Sequence, residues 1–176
     1  MKYGISTFQN SNHELFIQNL VKLTNCQTYL ELGVHNGVCF QTIVPLVKRA
    51  IGVDIMDLRT IKVGEFYTMP TDDFFKNFDD MADIIFIDAD HKYDSVVKDF
   101  ENSLKVLNKN GVILLHDTDP QEKFLLAPEY CNDCYKIVNY IQENHPELNI
   151  VTLPLTIAGL SIVMRKNERR ANEFTL

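Results

Sequence analysis

The chain has 176 residues, close to the modal size of one domain and long enough to bury about two thirds of its surface. Hydrophobic residues make up 45% and charged residues 23%, with 7 Gly and 6 Pro, which excludes the disordered, collagenous and disulfide-scaffold classes. The 17 Lys and Arg against 24 Asp and Glu leave a net charge of −7, which repels polyphosphate, so nucleic acid is not an expected partner.

The opening Met1-Lys2-Tyr3-Gly4-Ile5-Ser6 is interrupted by Gln9, Asn10, Asn12, His13 and Glu14 before a signal-peptide core can form. Apolar stretches such as Val112–Leu115 and Ile84–Ile87 fall far short of the ~20 residues that cross a bilayer. A cytoplasmic protein without membrane contact is expected, and the four cysteines, at 26, 39, 131 and 134, fit a reducing compartment as free thiols.

From Ser11 to Leu23 the apolar residues Leu15, Ile17, Leu20, Val21 and Leu23 lie near helical spacing behind Ser and Asn caps, which predicts a first helix. Thr28 to Leu32 reads as a strand, and Gly37 to Val47 as a helix whose last turn Pro45 kinks or shortens. Arg49 to Asp54 and Glu65 to Met69 are the next strands, joined by a loop with room for a short helix. Thr71-Asp72-Asp73 caps a brief helix from Phe74 to Phe78.

Asp83 to Asp88, four apolar residues between carboxylates, is the run expected of a central parallel strand covered on both faces. Tyr93 to Leu107 places Val96, Val97, Phe100, Leu104 and Leu107 on one helical face. Gly111 to Leu115 is the fifth strand, ending at His116-Asp117. A loop with two prolines leads to a helix from Asp133 to Asn144, then to strands Asn149 to Leu153 and Leu160 to Arg165. This alternation predicts one α/β domain over residues 1–176, with a mostly parallel seven-stranded sheet, an antiparallel edge and helices on both faces.

Ligands of such sheets bind beyond the carboxyl ends of the strands, and there the unusual residues collect. Glu31-Leu32-Gly33-Val34-His35-Asn36-Gly37 is a strand-to-helix turn with two glycines four apart. Asp54, about 20 residues beyond Gly33, can accept both hydroxyls of a ribose, so the pair implies an adenosine-type ligand. His35 stands where the dinucleotide fingerprint needs its middle Gly, which disfavours a pyrophosphate.

Asp88 and Asp90 follow the fourth strand, and Asp117 and Asp119 the fifth. If those strands are neighbours, about 4.8 Å apart, their carboxylates crowd one crevice and call for a proton or for a hard cation such as Mg²⁺. Loop capping is the alternative for each acid. His91 and His116 flank the acids as candidate bases or ligands, a buried structural histidine being the alternative for His116. Cys131-x-x-Cys134 lacks partners at zinc spacing. Arg165, Lys166, Arg169 and Arg170 read as a solvated tail, and His13 and His145 belong to no constellation.

Glu31-x-Gly33-x-x-x-Gly37, Gly52-Val53-Asp54, the segment Phe86 to Tyr93 and the segment Gly111 to Asp117 together resemble class I S-adenosylmethionine-dependent methyltransferases. Ile-Asp-x-x-His-x-Tyr followed by His-Asp is similar to their small-molecule O-methyltransferase branch, which includes macrocin-type sugar methyltransferases. The resemblance implies a Rossmann-like methyltransferase fold and methyl transfer to a hydroxyl of a small molecule, a sugar among the candidates. It places Glu31, Gly33 and Gly37 along the methionine part of the cofactor, with His35 in the same turn, Asp54 at the ribose and Thr71-Asp72 at the adenine. Asp88 counts as a cofactor-binding residue and, with Asp117 and His116, as a ligand of Mg²⁺ or another divalent cation; Asp90 or His91 is the base. Asp133-x-x-Lys136 borders the acceptor pocket or is an exposed pair, and a homodimer is reasonable. The competing readings are a nicotinamide-dependent oxidoreductase, from the glycine turn and Asp54, and a cofactor-binding module without catalysis.

Overall fold

The structure, a computed structural model, describes residues 12–57 and 63–166. Ser11 of the first predicted helix, residues 58–62 of the loop expected to hold a short helix, and Arg169 and Arg170 lie outside the described residues. The elements are α1 (His13–Thr24), β1 (Thr28–Leu32), α2 (Val38–Ile43), β2 (Arg49–Asp54), β3 (Glu65–Thr68), α3 (Thr71–Phe75), β4 (Ala82–Ile87), α4 (Tyr93–Lys105), β5 (Leu107–His116), α5 (Ile137–Asn144), β6 (Leu148–Leu153) and β7 (Leu160–Arg165). All seven predicted strands are present.

The strands form one sheet in the order β3-β2-β1-β4-β5-β7-β6. β1 to β5 run parallel, whereas β7 pairs antiparallel with both β5 and β6, so the antiparallel edge is the β6–β7 hairpin. The alternation of side chains along the strands divides the core in two. Leu30, Leu32, Ile85, Ile87, Ile113 and Leu115 face α3, α4 and α5, while Tyr29, Ile84, Phe86, Val112 and Leu114 face α1 and α2. Each fully buried aliphatic or aromatic side chain contributes roughly 2 kcal/mol.

Asp83 fastens the end of the sheet remote from the cleft. Its carboxylate accepts the backbone N–H groups of Gln27 (2.8 Å) and Thr28 (3.0 Å) and the amide of Asn108 (2.6 Å), joining β1, β4 and β5. The opposite, carboxyl ends carry the loops.

Several boundaries differ from the sequence reading for local reasons. Asn12 caps α1, its Oδ1 accepting from Leu15 N–H at 3.2 Å. α2 stops at Ile43 and tightens into a 3₁₀ turn, Val44–Leu46, around Pro45, which has no N–H to continue the helix. Thr71-Asp72-Asp73 does not precede α3 but forms its first turn after Pro70, where the two acids complement the helix dipole. β5 begins at Leu107, with a shift of register against β4 before Val112. A 3₁₀ turn, Cys134–Lys136, delays α5 to Ile137.

Arg165 is no tail residue. Its guanidinium donates to the carbonyls of Leu104 (3.0 Å), Asn108 (3.2 Å) and Leu107 (3.3 Å), tying β7 to the end of α4. Among the described residues no helix is long and apolar enough to cross a membrane.

Candidate active site

Beyond the carboxyl ends of β1, β2, β4 and β5 lies a cleft of about 730 Å³. It gathers Gly33, His35, Asp54, Thr71, Asp72, Asp88, Asp90, His91, His116 and Asp117, which are ten of the candidate residues named from the sequence. Glu31 and Gly37 do not line it.

The turn after β1 is closed by its own hydrogen bonds. Gly33 has φ +82° and donates its N–H to Val53 O at 2.9 Å. Its nearest neighbour is the chain itself: a Cβ here would meet the Asp88 carbonyl at 2.1 Å, so glycine is required where the ends of β1 and β4 touch. The N–H groups of His35, Gly37 and Val38 are taken by Asp54 Oδ2 (2.8 Å), Val34 O (2.8 Å) and Asn36 Oδ1 (3.1 Å). Those three donors of the turn are thus satisfied by the chain itself. Asp54 also accepts from Met56 N–H through Oδ1 at 2.8 Å, so both its oxygens are fixed while each keeps a lone pair toward the cleft.

Glu31 points to the opposite face of β1, fully buried, where the Tyr29 hydroxyl donates to its Oε2 at 2.6 Å. Burial pushes its carboxyl up to about 8, against the lowering effect of the Tyr29 hydroxyl. Gly37, with φ +75°, is the residue from which α2 starts.

Two acids and two histidines meet at the floor of the cleft. His116 Nδ1 lies 3.2 Å from Asp88 Oδ1 and 3.0 Å from Asp117 Oδ1. His91 Nε2 lies 3.5 Å from Asp88 Oδ1 and 3.4 Å from Asp117 Oδ2, and its Nδ1–H donates to the Tyr130 carbonyl. Burial opposes the charge on Asp88, yet the two imidazoles outweigh it and hold the carboxyl well below its usual range. His91 rises to about 9 through its bond to Asp88, and His116 to about 10, the two acids overcoming its burial. Asp117 is held in the left-handed region at φ +59°, its carbonyl accepting from the buried Cys134 thiol at 3.3 Å. Non-glycine residues in that region concentrate at functional sites.

A profile of the methyltransferase-domain family matches residues 30–118, half of the chain, from within β1 to just past His116-Asp117. The chain belongs to the methyltransferase-domain family. No curated protein sequence matches this methyltransferase-domain chain. Among solved structures, the O-methyltransferase from Bacillus cereus in complex with SAH is similar over 92% of this chain and 84% of that one, with TM-score 0.74 and 16% identity. The O-methyltransferase TomG from Streptomyces achromogenes, involved in tomaymycin synthesis and solved with SAM, gives 88%, 80%, 0.69 and 12%. An rRNA methylase from Streptococcus thermophilus gives 90%, 99%, 0.69 and 10%. At such identities the likeness is one of fold.

The donor set of this methyltransferase domain fits a divalent cation. Asp88, His116 and Asp117 each bring one ligand atom within 4.8 Å of the others.

The sequence reading missed three contributors. Asp99 of α4 is buried and lines the cleft beside Thr71, and burial pushes its carboxyl up to about 6. It sits with Val96, Phe100 and Ser103 on the buried stripe of α4, and an acid at i+3 of such a stripe is a signal the sequence carries. His13 packs its ring against His116, centroids 4.5 Å apart, a contact with no local signature. Tyr130 acts through its backbone carbonyl, which no side-chain pattern reveals. His145, likewise left without a constellation, bonds Glu101 (2.7 Å) and Glu147 (3.0 Å) away from the cleft. Asp133 accepts from Tyr93 N–H at 2.8 Å and from Lys136 at 3.1 Å; neither residue lines the cleft. Cys131 and Cys134 are free and buried, and burial pushes Cys131 up to about 12, far from a reactive thiolate.

Proposed function

We propose that residues 1–176 form a single S-adenosylmethionine-dependent methyltransferase that moves a methyl group to a hydroxyl of a small molecule, a sugar among the candidates, with a divalent cation assisting. The observation that carries this reading is one cleft holding both halves of the chemistry. Gly33, Asp54, Thr71 and Asp72 line one part, and Asp88, Asp90, His91, His116 and Asp117 the other. The net charge of −7 favours a small acceptor over nucleic acid.

S-Adenosylmethionine, when bound, supplies an electrophilic methyl on a sulfonium centre. Asp54 would accept the ribose hydroxyls with the lone pairs its two backbone bonds leave free. Thr71, Asp72 and the buried Asp99 surround the adenine. An alcohol is almost wholly protonated at neutral pH, so the chain must align the acceptor and take its proton. Asp90 is the base in this reading: it lines the cleft, and its Oδ2 is oriented by the Ser95 hydroxyl at 2.8 Å. His91 is the poorer candidate, because Tyr130 and the two acids occupy both ring nitrogens. The new bond joins the methyl carbon to the acceptor oxygen as the carbon–sulfur bond breaks, and the acceptor proton passes to Asp90. Asp88, His116 and Asp117 would hold a divalent cation, which would supply positive charge to stabilise the acceptor oxygen as its proton leaves.

The test is calorimetry of S-adenosylmethionine binding with NAD as control, followed by a screen of sugar and other hydroxyl acceptors. Micromolar binding of the sulfonium cofactor and a methylated oxygen in the product are the expected results. Binding of NAD alone would overturn the reading.

A further inference from the structure

Asp117 keeps a left-handed backbone at φ +59°, a conformation that a non-glycine residue retains only while its surroundings hold it there. Two bonds to its backbone do so. Its N–H donates to Gly159 O at 3.1 Å, and its carbonyl accepts from the Cys134 thiol at 3.3 Å. The residue is buried, so water does not readily replace the thiol if that bond is lost.

Cys134 ends a turn that touches the floor of the cleft at a second point. Tyr130 gives its carbonyl to His91 Nδ1–H, Cys131 follows directly, and Asp133 accepts from Tyr93 N–H at 2.8 Å where α4 starts. Cys134 N–H closes the turn on Cys131 O at 3.2 Å, with Asn132 between them at φ +50°. That closure keeps the two Cα atoms within about 7 Å, and a disulfide spans about 4.4 to 6.8 Å. Both side chains enter one buried cluster, with Leu125 and Ile137. Burial, and then the Asp117 carboxylate beside them, raise both thiols above the usual range.

We propose that Cys131 and Cys134 form a redox-sensitive latch: as thiols they hold Asp117, and as a disulfide they release it. The oxidant is a small-molecule disulfide such as oxidised glutathione. One cysteine thiolate attacks it and expels one reduced thiol, and the second cysteine then displaces the other. The two cysteine S–H bonds and the oxidant's S–S bond break. The Cys131–Cys134 bond and the S–H bonds of two released thiols form, and two electrons pass from the cysteines to the oxidant. The hydrogen that Cys134 donates is thereby lost, and the Asp117 carbonyl loses that partner. Burial keeps the thiolate scarce, so the exchange waits for the loop to open and is slow. Loss of cofactor binding on release of Asp117 rests on the function proposed above, whereas the sulfur chemistry and the freeing of the backbone do not.

The experiment equilibrates the purified full chain in a graded series of reduced and oxidised glutathione mixtures. Peptide mapping after alkylation reads the disulfide, hydrogen exchange reads the amides of Asp117 and Asp119, and calorimetry reads S-adenosylmethionine. A Cys131–Cys134 disulfide reversed by dithiothreitol, exchange at least tenfold faster at both amides, and at least tenfold weaker cofactor binding are expected. C131S keeps the Cys134 donor and should hold the protection of the reduced form in every mixture. C134S, whose hydroxyl still donates, should protect Asp117 better than C134A, and C26S, at the opposite end of the sheet, should respond as wild type. Free thiols at both positions in the most oxidising mixture, a glutathione adduct without the internal disulfide, or a disulfide that leaves exchange unchanged would overturn the proposal. The wild-type series decides even if a variant fails to fold. A reduced chain that does not bind S-adenosylmethionine, while the disulfide still speeds exchange, would overturn the proposed function and leave the latch standing.

Discussion

A side chain on Gly33 would place its Cβ 2.1 Å from the carbonyl oxygen of Asp88 and 2.5 Å from Ala89 Cα, so two backbones touch where β1 and β4 end. The same glycine holds φ at +82°, which L side chains rarely adopt. Gly33→Ala must separate the strand ends or distort the turn, and it should cost about 3 kcal/mol or more. Urea unfolding of the variant measures that loss, and calorimetry should show cofactor binding lost with it.

Glu31 provides a pH test. Burial raises it from its usual value near 4.5 to about 8, so the folded chain binds a proton that the unfolded chain releases. The associated stability is complete below about pH 4.5 and declines as pH rises through 8, by about 1.4 kcal/mol per pH unit across the interval. Glu31→Gln keeps the shape of the neutral acid and removes the titration. Denaturation curves should show near parity with wild type at pH 4.5 and a more stable variant at pH 8.

Asp54 holds the N–H groups of His35 and Met56 with separate oxygens, both at 2.8 Å. Asn has one acceptor oxygen and must turn an NH₂ toward one of those donors. Asp54→Asn should therefore lower stability by about 1 kcal/mol and weaken S-adenosylmethionine at least tenfold, both readable from one calorimetric and thermal series.

Asp90 accepts from the Ser95 hydroxyl and from Lys92 N–H and takes no part in the hydrogen bonds of the turn after β1. Asp90→Asn should lower turnover on a hydroxyl acceptor by about 100-fold or more, with the cofactor Kd within twofold of wild type. Single-turnover methyl transfer at saturating cofactor makes the comparison.

The sheet was readable because parallel strands covered on both faces are continuous apolar runs, as in Ile84-Ile85-Phe86-Ile87. The start of β5 was not, since Asn108, Lys109 and Asn110 are polar and partly exposed and resemble a turn before Gly111. Most of the cleft was readable too, because parallel strands deliver their C-terminal residues to one end of the sheet. Glu31 shows the limit of that rule: one residue from a strand end, the side chain alternates to the other face and leaves the cleft. The contact of His13 with His116 joins residues far apart in the chain and needed the packing of α1 over the sheet to exist at all.

The place of β7 between β5 and β6 also constrains how the chain folds. β6 and β7 pair through the short connection 154–159, a loop closure that is entropically cheap, whereas pairing β7 with β5 closes the much longer excursion from 117 to 159. The hairpin is thus placed to form first and dock as a unit, with its later strand inward. Because Asp117 N–H donates to Gly159 O and Asp119 N–H to Ala158 O, that docking is also what locks the loop bearing Asp117. The geometry of the acidic floor is therefore set by a long-range strand pairing and not by the loop's own sequence.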